Sequence, residues 1–176
     1  MHRLFVAIRP PALIREQLLG MMGGVPGARW QDDEQLHITL RFLGEVDRHQ
    51  AEDIAAALGS VRHQPFAIAL SGVGHFSSRG RGAIWAGLAP HDMLGSLHRN
   101  VDGACRRVGI APDGRAYLPH ITLARTGRGS FSPETFVAQW AGLFSAPFDV
   151  ADFRLFESRL GSEGASYTAI ARYPLG

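Results

Sequence analysis

His37-Ile38-Thr39-Leu40 near the start of the chain and His120-Ile121-Thr122-Leu123 past its middle are the same four-residue word. Each copy sits in an apolar, β-branched run. Side chains on a strand alternate between faces, so the His and the Thr two residues on point the same way. Each copy thus presents an imidazole beside a hydroxyl. Four-residue words do repeat by accident in a chain this long, so the repetition alone decides nothing. What matters is that the word holds the one side chain able to exchange a proton near neutral pH, next to a hydroxyl donor, on a rigid element.

Outward from the first copy, Leu4 to Ile8 reads as a strand. Pro10-Pro11 ends it and opens a helix through Leu13, Ile14, Leu18, Leu19 and Met22, which Gly23-Gly24 closes. A polar loop with Trp30 leads into the motif strand, Leu36 to Leu43, and Ala51 to Leu58 forms a second helix. Pro65 to Gly74 and Ala83 to Leu88 read as strands joined by an exposed Arg and Gly loop, Ser77 to Gly82. A third helix over Met93–Val108 turns Leu94, Leu97, Val101, Ala104, Cys105 and Val108 inward. Outward from the second copy, Tyr117 to Ala124 is its strand. Ser132 as N-cap and Pro133 at the first helical position start a fourth helix that ends near Gly142. Phe148 to Leu160 and Ser166 to Tyr173 are two last strands, turned by Gly161-Ser162-Glu163-Gly164.

The second half of this order echoes the first. The expected fold is α+β: one domain over residues 1–176, built of two intertwined pseudo-symmetric lobes, each with an antiparallel sheet and outer helices, around a central cleft. Under a pseudo-twofold, the two His-x-Thr pairs face each other across that cleft.

With 176 residues, 45% hydrophobic and 19% charged, the chain can bury a core. Its net charge is only +2, which argues against extensive coverage of a nucleic-acid duplex. All 18 basic side chains are Arg, whose planar fork suits phosphate oxygens. Cys105 is the single cysteine, which excludes an internal disulfide and fits a reducing compartment. The apolar N-terminal run is too short for a signal peptide, and no stretch reaches membrane-span length, so the expected location is the cytoplasm. His2, His49, His63, His75, His91 and His98 read as surface residues. His91 and His98 share a helix face but lack a third ligand at zinc spacing, so no metal site is expected. No Gly-x-Ser-x-Gly elbow is present, and Gly72-Val73-Gly74 lacks the context of a dinucleotide fingerprint.

Two imidazoles on opposite sides of one phosphorus are what an in-line displacement needs: one takes the proton of the attacking oxygen, the other protonates the departing one. The Thr39 and Thr122 hydroxyls then donate to the non-bridging oxygens, and neither metal nor cofactor is required. Strict alternation puts Arg125 on the face away from His120, so it reaches the phosphate only if the strand ends or bulges there. Arg41 has the parity of His37, or else belongs to a solvated face. Arg79, Arg81, Arg115 and Arg128, in loops, are candidates to track a nucleic-acid phosphate backbone. Phe42, Phe76, Trp85 and Tyr117 are candidates to stack a base, with core packing the alternative for each.

The twin motifs resemble the two-histidine phosphoesterase superfamily, and most of all its RNA 2′,3′-cyclic phosphodiesterases, the LigT-like or 2′-5′ RNA ligases. The likeness also takes in Leu4-Phe5-Val6-Ala7-Ile8, Arg41-Phe42-Leu43-Gly44-Glu45-Val46, Gly72-x-Gly74-x-Phe76, Trp85-Ala86-Gly87, Tyr117-Leu118-Pro119 and Tyr173-Pro174-Leu175. The resemblance implies a bilobal fold and metal-free hydrolysis of a 2′,3′-cyclic phosphate, at an RNA or nucleotide end, to a 2′-phosphate. It implies His37 and His120 as acid and base, with His120 favoured as the base. It also implies Thr39 and Thr122 as phosphate binders and Arg125 as a further phosphate contact. Alternatives are 2′-5′ joining of tRNA halves by the same residues, or a non-catalytic module that binds RNA ends. No obligate protein partner is expected, and a monomer is the default.

Overall fold

The structure, a computed structural model, describes residues 1–126 and 131–176. The first β-α-β passage runs β1 (His2–Ile8), α1 (Ala12–Met21), β2 (Ala28–Trp30), a 3-10 turn (Asp33–Gln35), β3 (Ile38–Val46) and α2 (Arg48–Leu58). β4 (Phe66–Ser78), β5 (Arg81–Ala89), α3 (Asp92–Arg107), β6 (His120–Thr126) and α4 (Glu134–Gln139) follow. β7 (Phe148–Val150), β8 (Asp152–Gly161) and β9 (Gly164–Pro174) complete the chain.

Among the described residues the strands make one nine-stranded sheet in the order β7-β4-β5-β6-β3-β1-β8-β9, with β2 alongside β6. The order is symmetric about its middle: β6 answers β3, β5 answers β1, β4 answers β8. The two expected lobes are the halves of this sheet, and they are interleaved in sequence. The β4-β5 hairpin crosses to the half of the second motif, while the C-terminal β8-β9 hairpin returns to the half of the first. The halves meet through a single antiparallel pair, Ile38 with Ile121. Both of these side chains are fully buried in a core shared by residues of all four helices, including Ile14, Ile54, Leu97 and Phe136. Side chains one residue away emerge on the opposite, open face.

Several boundaries differ from the sequence reading. Trp30, expected in a loop, belongs to β2. The segment expected as one strand over 148–160 breaks at Ala151 into β7, paired with β4, and β8, paired with β1 on the other half of the sheet. The Arg and Gly loop is shorter than expected, because β4 and β5 stay paired down to Ser78 and Arg81. At α4 the N-cap position falls on Pro133 and no side chain caps it, so Ser132 does not take the expected role. Asp47 does more than punctuate: it caps α2 and forms a reciprocal capping box with Gln50. No helix among the described residues is long and apolar enough to cross a membrane.

Candidate active site

The pairing of Ile38 with Ile121 arranges the two motifs. Continuing that antiparallel register by one residue sets His37 across from Thr122 and Thr39 across from His120. The four side chains thus mark the corners of a quadrilateral on the open face, with the histidines on one diagonal. Diagonal neighbours on a regular ladder lie ~7–8 Å apart, enough to admit a tetrahedral group between the rings.

Each imidazole is fixed in the same way. His37 Nδ1 lies 2.7 Å from Gln35 O, and His120 Nδ1 lies 2.7 Å from Leu118 O. A carbonyl only accepts, so in both rings Nδ1 carries the proton and donates, which leaves Nε2 as the basic nitrogen. The Thr39 hydroxyl, 2.9 Å from His37 Nε2, donates to it in the free protein. The turn that carries the Gln35 carbonyl is itself held. Arg9 donates to Asp33 O at 2.6 Å and to Leu36 O at 2.7 Å, Arg15 bonds the Asp33 carboxylate, and Gln35 Nε2 donates to Ala165 O of β9.

The surroundings of the two rings differ. His37 lies against Phe5, with ring centroids 4.9 Å apart, and edge-on to Tyr167 at 5.4 Å. Burial there, with smaller contributions from the positive Arg125 and Arg9 and from His120 when it is protonated, pushes its pKa down to about 4. His120 meets Phe76 edge-on at 5.4 Å and Trp85 at 6.0 Å. Burial also lowers its pKa, and Arg125 adds to the effect. Both imidazoles are therefore neutral at pH 7 in the free protein, and a nearby anion would draw each towards its charged form.

Arg125 does reach the site, because β6 bulges. Opposite β5 the register steps from Trp85–Thr122 to Ile84–Ala124, so Leu123 is the extra residue. Leu123 and Ala124 both point into the core, and Arg125 returns to the face of His120 and Thr122. The same bulge occurs at Leu40 on β3, where Ala7–Thr39 steps to Val6–Arg41. It buries Arg41, whose Nε donates to Asp102 at 2.8 Å and whose other nitrogens bond Phe42 O and Ala111 O. Arg41 is thus neither a phosphate contact nor part of a solvated face. Phe42 takes the position on β3 that Arg125 takes on β6, and both line a cavity of about 560 Å³ running outward from His37.

Of the aromatic candidates, Phe42 and Phe76 are exposed, at 50% and 42%. Trp85 lies across Gly74, where a Cβ would collide with the indole, and stands 5.4 Å from Phe76. Tyr117 is not brought to this face: its ring stacks on His98 at 4.1 Å and its hydroxyl donates to Thr39 O. His98, expected on the surface, is held between Tyr117 and Leu40 O. Among the loop arginines, Arg115 is tied to Asp113, and Arg79 and Arg81 line a second hollow at the β4-β5 turn. Arg128 falls outside the described residues. Cys105 is buried on α3, and burial pushes its thiol up to about 11. Among the described residues no three His, Cys, Asp or Glu side chains gather at ligand spacing. Phe5, Tyr167, Arg9 and Gln35 went unseen in the sequence.

Two imidazoles with matched tautomers, paired hydroxyls and one guanidinium thus share the open face of the sheet. Comparison with known proteins gives the family: the model for LigT-like phosphoesterases matches residues 8–85 and 88–167, and the chain belongs to that family. It is 33% identical over 169 residues to an RNA 2′,3′-cyclic phosphodiesterase of Archaeoglobus fulgidus, covering 94% of this chain and 96% of that one. It is 34% identical over 156 residues to the enzyme of that name from Geobacillus stearothermophilus, but spans only 49% of that protein's length. Among solved structures, Escherichia coli LigT complexed with 3′-AMP superposes with a TM-score of 0.84 at 28% identity, over 99% of this chain and 98% of that one.

Proposed function

We propose that the protein hydrolyses 2′,3′-cyclic phosphate ends of RNA or nucleotides to 2′-phosphomonoesters, with His37 and His120 as acid and base and no metal. The observation that carries this reading is the matched pair of Nδ1–H to carbonyl bonds, which makes Nε2 the basic nitrogen of both rings, that of His37 being released when the Thr39 hydroxyl turns to the phosphate. His120, the less enclosed ring, takes a proton from water as the water oxygen attacks phosphorus. The P–O3′ bond breaks in line, and the departing O3′ takes its proton from His37. Burial against Phe5 and Tyr167 makes protonated His37 a strong acid, and the phosphate anion supplies the charge that favours that protonated form. Arg125 and the Thr39 and Thr122 hydroxyls bind the non-bridging oxygens, where negative charge grows. Phe76 and Trp85, the rings beside His120, stack the terminal base.

The names of the relatives support the substrate class, and the 3′-AMP complex of the Escherichia coli protein supports a nucleotide monophosphate in the cleft. An RNA substrate and a single buried thiol fit a cytoplasmic enzyme that acts as a monomer. Incubation with 2′,3′-cyclic nucleotides in excess chelator, followed by separation of the 2′- and 3′-monophosphates, tests the proposal. The 2′-isomer is expected. A 3′-isomer, or no turnover until a divalent ion is added, overturns it.

A further inference from the structure

The cavity beyond His37 is larger and more basic than one reacting phosphate requires. Arg29 on β2 is the direct cross-strand partner of Arg125 on β6, so two guanidinium groups stand side by side on one face. Like charges directly opposite each other destabilise a sheet. Arg3 on β1 lines the same cavity. It lies two residues beyond Phe5, the ring under His37, and so about 7 Å farther out along the strand. Among the described residues, none of these three arginines pairs with a carboxylate. Others are tied: Arg9 and Arg15 to Asp33, Arg41 to Asp102, Arg172 to Asp152. Glu163, at the tip of the β8-β9 hairpin, also lines the cavity, but it is exposed and makes no ion pair among the described residues.

We infer that this cavity is a subsite for the RNA strand leading up to the cyclic end, in which Arg29 and Arg3 take internucleotide phosphates while Arg125 stays with the reacting one. The inference rests on the cyclic-phosphodiesterase reading and extends it. A mononucleotide satisfies Arg125 and leaves Arg29 without a counter-charge and Arg3 with only its cross-strand neighbour Glu45, with which it forms no ion pair among the described residues. A strand carrying one charge per nucleotide satisfies all three. The aromatic walls, Phe42 and Tyr167, suit unpaired bases and give a duplex nothing to stack. The protein is thereby an RNA-end enzyme more than a mononucleotide enzyme.

The experiment compares a 2′,3′-cyclic mononucleotide with a trinucleotide ending in the same cyclic nucleotide, for the parent and for Arg3→Gln/Arg29→Gln. The parent should favour the trinucleotide in kcat/KM by about ten- to hundredfold, the worth of one or two charge-assisted hydrogen bonds. The double variant should lose that preference, mainly through KM, while its rate on the mononucleotide, which also reports correct folding, stays unchanged. Its KM for the trinucleotide should also depend less steeply on salt. Equal use of both substrates by the parent overturns the inference, as does an equal loss on both in the variant. A parent that turns over neither substrate overturns the underlying activity as well, which separates the two failures.

Discussion

Acidification from pH 7 to pH 5 should weaken the folded protein, and His37 should carry much of the loss. Its imidazole has a pKa of about 4 in the fold against an ordinary 6.5, because Phe5 and Tyr167 take the place of water around it. Between those values the unfolded chain binds a proton that the folded chain refuses. The contribution of His37 is therefore fully present above about pH 6.5 and is lost as the pH falls towards 4. Worked through for this window, the loss is about 2 kcal/mol. His120, also lowered by burial, adds in the same direction. Asp33, Asp113 and Glu157 are held below the usual carboxylate range by Arg15, Arg115 and His2, so their contributions fade mostly at lower pH. Urea unfolding of the parent and of His37→Gln at both pH values isolates the effect, since the variant keeps every other titrating group. The parent should lose about 2 kcal/mol more than the variant over this window. Equal losses would refute the reasoning, because His37 would then be as well hydrated in the fold as out of it.

Arg125→Ala should lower kcat by about a hundredfold, the usual cost of one donor aimed at a developing oxyanion, with little change in unfolding midpoint because the side chain is exposed. Arg125→Lys should restore only part of the rate, since an ammonium cannot reproduce the two-pronged contact. Arg41→Ala should do the opposite. It strands Asp102 and two carbonyls in a buried setting, which should cost about 3–5 kcal/mol in urea unfolding while the folded fraction keeps its kcat.

The motif strands, the helices and the closing hairpin were legible because each has its own period and its own stop signal. Gly161 to Gly164 does turn β8 into β9, and the apolar stripe of α3 is the buried one. The role of Arg41 was not legible, and Arg125 was suggested by the resemblance and not by strand parity, which pointed it away from His120. Parity along a strand fixes the face of a side chain only while the ladder is regular, and one extra residue at Leu40 and another at Leu123 reverse it. Nothing in the residues marks either bulge. Phe5 was hidden for a different reason. From Leu4 to Ile8 the strand is buried on both faces, so alternation could not tell the site face from the core face. Gln35 holds His37 through its backbone carbonyl and Arg9 holds the turn before it, contacts to the main chain that a sequence pattern does not display. The interleaving of the two halves, with β7 and β8 consecutive in the chain yet on opposite sides of the sheet, depends on long-range pairing that local propensity does not encode.

Single-turnover hydrolysis of a 2′,3′-cyclic nucleotide in chelator, by His37→Ala, His120→Ala and the double variant, bears most directly on whether two imidazoles share one phosphorus. Each single change should remove nearly all of the rate, and the double change should be little worse than either, as expected for groups that act as a unit. Substantial turnover with either ring removed, or losses that simply multiply in the double variant, would contradict a joint attack from both sides.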